Sequence, residues 1–205
     1  MIIDNTFLGA FAQTIKNNIN SPNIKTFADH LLINKLVCKQ WLCESLLKYH
    51  KPSNVLILGS WYPTYIPYML NANTYTCVDI NDTIWDLSKQ FNNHLYGEQE
   101  ASNFRYITGD AGEWLKKDLA LYDTVINTSC EHMKFDMKDF NIRSDNIFVL
   151  TSNNYLEVKE HINCKNNLDD FVSSTGITNL IYAGEKQLKS YTRYMVIGKY
   201  NGYLD

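Results

Sequence analysis

Hydrophobic and polar positions change period along this chain, and the changes mark its elements. Over residues 1–50 the apolar positions recur at three-to-four spacing. Phe7, Ala10, Phe11 and Ile15 form one stripe, with Thr14 on the same face; Phe27, Leu31, Leu32, Leu36, Trp41, Leu42, Leu46 and Leu47 form a second. Two amphipathic helices are expected, the second over residues 26–49, with a break at Ser21-Pro22-Asn23, where proline disfavours continued helix. The stripes either cover a sheet or face a partner, and a lid over a substrate is compatible with both. Lys51-Pro52-Ser53 ends this region.

Beyond residue 53 the pattern shifts to short continuous apolar runs, at 55–58, up to Asp79, and at 104–108, 124–126, 147–150, 177–182 and 191–197. Helical patterns lie between several of them. One runs to about residue 94, carries Ile84, Leu87 and Phe91, and starts at a cap on Asn81 or Asp82; shorter ones fall at 113–115 and 168–172. Strands alternating with helices imply a parallel sheet. The last two runs have only residues 184–190 between them, which implies an antiparallel edge. The expected architecture is α/β, a doubly wound seven-stranded sheet over residues 51–205 preceded by a helical cap over 1–50.

In such a sheet ligands bind beyond the carboxyl ends of the strands. Five polar strand ends gather there: Gly59-Ser60, Asp79, Gly109-Asp110, Asn127-Thr128 and Thr151-Ser152-Asn153-Asn154. Asp79 follows Gly59 at about the spacing between a nucleotide-facing turn and the carboxylate that holds ribose hydroxyls. Only one glycine stands in that turn, and Ser60, Trp61, Tyr62 and Pro63 fill the rest, so a plain structural βαβ unit accounts for the same stretch.

Composition narrows the field. The 205 residues, 45% hydrophobic and 20% charged, are enough for one globular α/β core. A net charge of −3 argues against a general nucleic-acid binder, leaving open a basic patch assembled in three dimensions. Five scattered cysteines are not a disulfide framework. The N-terminal MIIDNTFLGAFAQTIK lacks the basic start and apolar run of a secretory signal, and no run reaches the length of a membrane span, so a cytoplasmic protein is expected. The oligomeric state is left open.

Four segments in order resemble the class I S-adenosylmethionine-dependent methyltransferases, over roughly residues 50–200. ILGSWYP is similar to their glycine motif and CVDIND to their ribose-binding strand end. ITGDA is similar to the segment that meets the adenine, and YDTVINTSCEHM to the fourth strand and the segment after it. The resemblance implies a Rossmann-like fold and S-adenosylmethionine as cofactor. It implies Gly59, Ser60, Trp61 and Tyr62 around the methionine end, Asp79 and Ile80 at the ribose, and Asp110 and Ala111 at the adenine. Asn127 and Thr128 would lie near the sulfonium. Trp85 borders the adenine in one reading and belongs to the core in another. SCEHM, SNN and EHINC are also similar to segments of uncharacterised phage proteins, a likeness that identifies no substrate.

Methyl transfer from a sulfonium needs positioning and, for some acceptors, removal of a proton. Glu131 and His132, after the fourth strand, are the candidates for that base; the bland alternative is an exposed pair opening a short helix. Asn153 and Asn154 could grip a polar substrate, or simply form a turn. The Asn/Asp-Pro-Pro-aromatic signature of DNA amino-methyltransferases is absent, so a small or other non-nucleic-acid acceptor is expected. Cys130, His132, His161 and Cys164 have the residue types of a zinc set, but zinc pairs follow tighter signatures and no metal is expected from them. Cys130 as a nucleophile lacks a visible triad context. Two alternatives stay open: a cofactor-binding regulator without transfer activity, and an enzyme that hydrolyses or lyses the cofactor.

Overall fold

The computed structural model describes residues 3–142 and 144–200. Three helices come first, α1 (Asn5–Asn17), α2 (Ile24–Asp29) and α3 (Ile33–Leu47). Then follow β1 (Asn54–Leu58), α4 (Tyr65–Leu70), β2 (Thr74–Asp79), α5 (Trp85–Ala101), β3 (Phe104–Thr108), α6 (Ala111–Leu115) and β4 (Thr124–Asn127). The chain continues through β5 (Ser144–Asn153), α7 (Leu168–Thr175), β6 (Asn179–Gln187) and β7 (Thr192–Tyr200). The strands form one sheet of order β3-β2-β1-β4-β5-β7-β6. The first five are mutually parallel, and β7 runs antiparallel to both β5 and β6. The expected doubly wound sheet with an antiparallel closing strand is the observed fold.

The outer strands β3 and β6 are partly exposed, whereas the inner strands β1, β2, β4, β5 and β7 are buried on both faces, which is why they read as continuous apolar runs. Alternation divides them between two clusters. Val55 and Ile57 join the N-terminal helices, α4 and α5 through Phe7, Phe27, Leu46 and Phe91. Leu56 and Leu58 face the other way, toward Ala111, Leu115 and Phe171 of α6 and α7. The strand starts are pinned by Asp123, whose Oδ2 accepts the amides of Ser53 (2.9 Å) and Asn54 (2.7 Å).

The expected single helix over residues 26–49 is two. The chain turns at His30, which is fully buried. Its Nδ1–H donates to the Phe27 carbonyl, and its Nε2 accepts from Thr64 Oγ1 at 2.6 Å. The imidazole thereby takes up backbone and side-chain polar groups that a continuous helix would have used differently. Helix α5 runs past its expected end through a kink at Gly97, where φ is +78°, a conformation glycine adopts without steric cost.

Among the described residues no helix is long and apolar enough to cross a membrane.

Candidate active site

Register decides what meets at the carboxyl edge. Leu58 pairs with Val78 and with Asn127, so Gly59 emerges beside Asp79 and the segment after β4. Gly59 has φ +57°, and a Cβ there would lie 3.0 Å from Ser129 Cβ and 2.9 Å from Met133 Cε. Positive φ and lack of room both select glycine. Ser129 Oγ donates to the Gly59 carbonyl at 3.0 Å and locks the turn.

Asp79 completes the turn. Its Oδ2 accepts the Trp61 amide at 2.8 Å and its Oδ1 the Asn81 amide at 3.0 Å. Trp61 itself has φ +47°, an uncommon value for a bulky residue. Its indole packs on Tyr62 and His30, with Lys35 Nζ 4.3 Å from the ring centre. Trp61 therefore forms a wall and does not fill the cleft.

Beyond these strand ends lies a cavity of about 700 Å³. Gly59, Ser60, Trp61, Asp79 and Ile80 line one side, with Asp110 and Ala111 beside them. Thr128, Glu131, His132, Asn153, His161 and Arg193 line the other. Helix α3 roofs it with Lys35, Cys38 and Lys39. Burial, with Lys35 and Arg193 nearby, pushes the Lys39 ammonium down to about 8, and no carboxylate forms an ion pair with it among the described residues.

Three expected site residues lie elsewhere. Tyr62 is 2% exposed beneath α2, its hydroxyl 2.9 Å from Thr26 Oγ1. Asn127 is fully buried; alternation along β4 puts it on the α7 face with Val125, where its Oδ1 accepts the Ser129 amide. Asn154 clamps the sheet edge, its Oδ1 accepting the Thr192 amide at 2.8 Å. Each packing role removes the side chain from the cavity lining. Trp85 is core, donating to Thr108 Oγ1 and packing on Tyr106. Asp110 is exposed at the cavity rim and caps α6 through Oδ1.

The far side is built from distant segments. Because β7 is antiparallel, its first residues lie at the carboxyl edge, and Arg193 pairs with Asn153. Arg193 Nη1 meets Glu131 Oε1 at 2.5 Å, while Nη2 donates to the Thr128 carbonyl and to Thr151 Oγ1 (2.8 Å). Asn153 Nδ2 adds a 2.8 Å bond to the same Glu131 oxygen. Glu131 is only 3% exposed, so the bland reading of an exposed pair does not hold for it. Burial opposes the Arg193 charge, and the Glu131 carboxylate outweighs it, so the guanidinium is held above its usual range.

The loop after β5 folds back over this pair. The Asn163 amide donates to the Glu131 carbonyl (2.9 Å), and Lys165 Nζ bonds Asp136 Oδ1 at 2.6 Å. These ties set His161 edge-on to His132, ring centres 4.6 Å apart. His132 is exposed as a residue, and partial desolvation of its ring still lowers it below the usual histidine range despite the Glu131 charge. The zinc-like set does not assemble. Cys130 is buried with its thiol toward the Asn127 carbonyl (3.9 Å), and Cys164 donates to Asn153 Oδ1 and the Tyr155 carbonyl.

Arg193 and Lys39 were not singled out from sequence. An arginine near the start of the reversed strand β7 was the available signal for the first; helix α3 gave none for the second.

The strand order and the reversed β7 are those of the Rossmann-like methyltransferase fold. Solved structures with this fold superpose on this chain. An O-methyltransferase from Bacillus cereus, in complex with SAH, is 12% identical with a TM-score of 0.58, over 97% of this chain and 93% of that one. A putative sarcosine dimethylglycine methyltransferase from Galdieria sulphuraria is 10% identical at TM-score 0.60, over 80% and 85%. An O-methyltransferase family protein from Burkholderia thailandensis is 12% identical at 0.56, over 92% of this chain and 64% of that one. No protein-family model and no curated protein sequence matches the chain. At these identities the likeness shows the fold; activity has to be argued from the site.

The residues present fit S-adenosylmethionine. Ser60 Oγ is buried in the cavity wall with no partner among the described residues, an orphan that a bound ligand would satisfy. Gly59 keeps the backbone open beside it. Asp79 spends one acceptor site on each carboxylate oxygen, and a carboxylate has about four, so capacity remains for ribose hydroxyls.

Proposed function

We propose that this chain is an S-adenosylmethionine-dependent methyltransferase acting on a small, non-nucleic-acid acceptor. One observation carries the reading: a single cavity has a nucleoside-fitting wall of Gly59, Ser60 and Asp79 and, facing it, a polar wall of buried Glu131 and Asn153 with the more exposed His132 beside them. When bound, the cofactor supplies a methyl group already activated on a sulfonium. The chain's task is then to hold and orient. The Gly59–Trp61 turn receives the methionine end, Asp79 the ribose, and Asp110 with Ala111 the adenine.

Glu131 is immobilised by Arg193 and Asn153 and sets the polarity of the acceptor wall. His132 sits beside it, with Nδ1 bonded to the Glu160 carbonyl and no hydrogen bond to Nε2 among the described residues. Helix α3 covers one side of the cleft, and a partly open cavity of about 700 Å³ favours a small molecule. Lys39, without a carboxylate partner among the described residues, favours an acceptor that carries negative charge.

Calorimetry with S-adenosylhomocysteine tests the cofactor half, with binding in the micromolar range expected. No binding at millimolar concentration overturns the proposal. Incubating the cofactor alone should leave it intact; its breakdown without an acceptor would favour hydrolysis or lysis instead.

A further inference from the structure

Glu131, His132 and His161 do more than line the acceptor wall. One ligand atom from each lies within 4.8 Å of the others. Both imidazoles are oriented from behind by backbone carbonyls: His132 Nδ1–H donates to Glu160 at 3.1 Å, and His161 Nδ1–H to Tyr155 at 2.6 Å. Those bonds fix the tautomer, so each Nε2 carries a free lone pair. A carbonyl holding the far nitrogen is the usual outer partner of a metal-binding histidine.

The carboxylate supplies the second observation. Glu131 Oε1 is taken by Arg193 and Asn153, whereas Oε2 is buried with no partner among the described residues. A buried anionic oxygen left unsatisfied is costly. Its residue lines the same cavity as the two histidines.

We propose that Glu131, His132 and His161 hold one divalent transition-metal ion on the acceptor side of the cavity, with positions open to an oxygen of the acceptor. The role of the acceptor rests on the methyltransferase reading; the ion site does not. Two imidazoles and one carboxylate suit zinc, manganese or iron, whereas magnesium and calcium favour all-oxygen sets. Donors about 2.0–2.2 Å from a shared ion lie roughly 3–4 Å apart. The 4.8 Å spread exceeds that by about 1 Å, so ion binding draws the three donors together.

The Arg193 charge next to Glu131 leaves the loaded site net positive, so its remaining ligand is an anionic or readily ionised oxygen. A hydroxyl bound there loses its proton to solvent at lower pH than in water, leaving an oxyanion on the ion. His132 then acts as a ligand, and the ion replaces it as the means of activating the acceptor.

The test uses chelator-treated, desalted full-length protein titrated with Zn²⁺ and separately with Mn²⁺ by calorimetry. S-adenosylhomocysteine binding is measured on the same samples. One ion per chain is expected. His161→Ala and Glu131→Gln should each weaken ion binding by about 100-fold or more, while His94→Ala, at an exposed histidine outside the cavity, leaves it unchanged. His161→Ala should retain S-adenosylhomocysteine affinity, which also certifies its fold. Absence of a stoichiometric ion, or undiminished ion affinity in folded His161→Ala, overturns the site. If ions bind and S-adenosylhomocysteine does not, the methyltransferase reading falls and the metal site stands.

Discussion

The two walls of the cavity are built on opposite plans. The wall around Gly59 and Asp79 comes from residues close in sequence, and its bonds run largely to backbone amides. The wall around Glu131 is joined by side chains and reaches farther: Arg193 and Glu131 are 62 positions apart, against 18 between Trp61 and Asp79. A backbone-built wall tolerates varied side chains, which is how Trp61 stands in a glycine turn. A side-chain-built wall depends on every partner, because removing one leaves another buried and unpaired.

That contrast predicts where the protein breaks most easily. Arg193→Met strands the Glu131 carboxylate and should cost about 3–5 kcal/mol in urea unfolding. The double variant Glu131→Gln/Arg193→Met should recover much of that loss. A small effect of Arg193→Met would mean the buried pair is far less coupled than its geometry implies.

On the other wall, Asp79→Ala should weaken S-adenosylhomocysteine binding by about 1.5–3 kcal/mol, the range for a lost charge-assisted hydrogen bond. Calorimetry reads this directly, and unchanged affinity would move the ribose elsewhere. Gly59→Ala adds a Cβ at positive φ in a crowded turn and should cost about 1–3 kcal/mol of stability. Its unfolding midpoint should fall, whereas Gly9→Ala, with open space around it, should not destabilise.

The smallest effect concerns His30, which supports Trp61 from below. Burial, with Lys39 and then Lys35 adding repulsion, holds its folded-state pKa well below the unfolded value near 6.5. The unfolded chain therefore takes up the proton first. The contribution of neutral His30 is complete above pH ~6.5 and declines as pH falls toward the folded value, by at most about 1.4 kcal/mol per pH unit. The stability difference between wild type and His30→Gln should shift with pH in that window; a flat difference from pH 7 to 5 would contradict a buried neutral imidazole.

What could be read in advance follows the same division. The glycine turn and its acid were legible because β1, α4 and β2 form one local unit, and Gly59, Ser60 and Asp79 do line the cavity. Tyr62 and Asn127 were misplaced although their segments were right. Strand alternation and the packing of α2 decide which way those side chains face, and neither is visible in a motif. Glu131 and His132 were picked for their position after β4, but their surroundings came from β7 and the loop after β5.

Period and punctuation in the sequence thus determined the order of elements, the doubly wound sheet and its reversed closing strand. These follow from local backbone preference and from which positions must leave water. Only the tertiary structure decided that Arg193 would neutralise Glu131, that Lys39 would roof the cavity, and that His161 would come to lie against His132. Such contacts arise when distant segments meet at one sheet edge, and their energies depend on burial, which no position along the chain carries by itself.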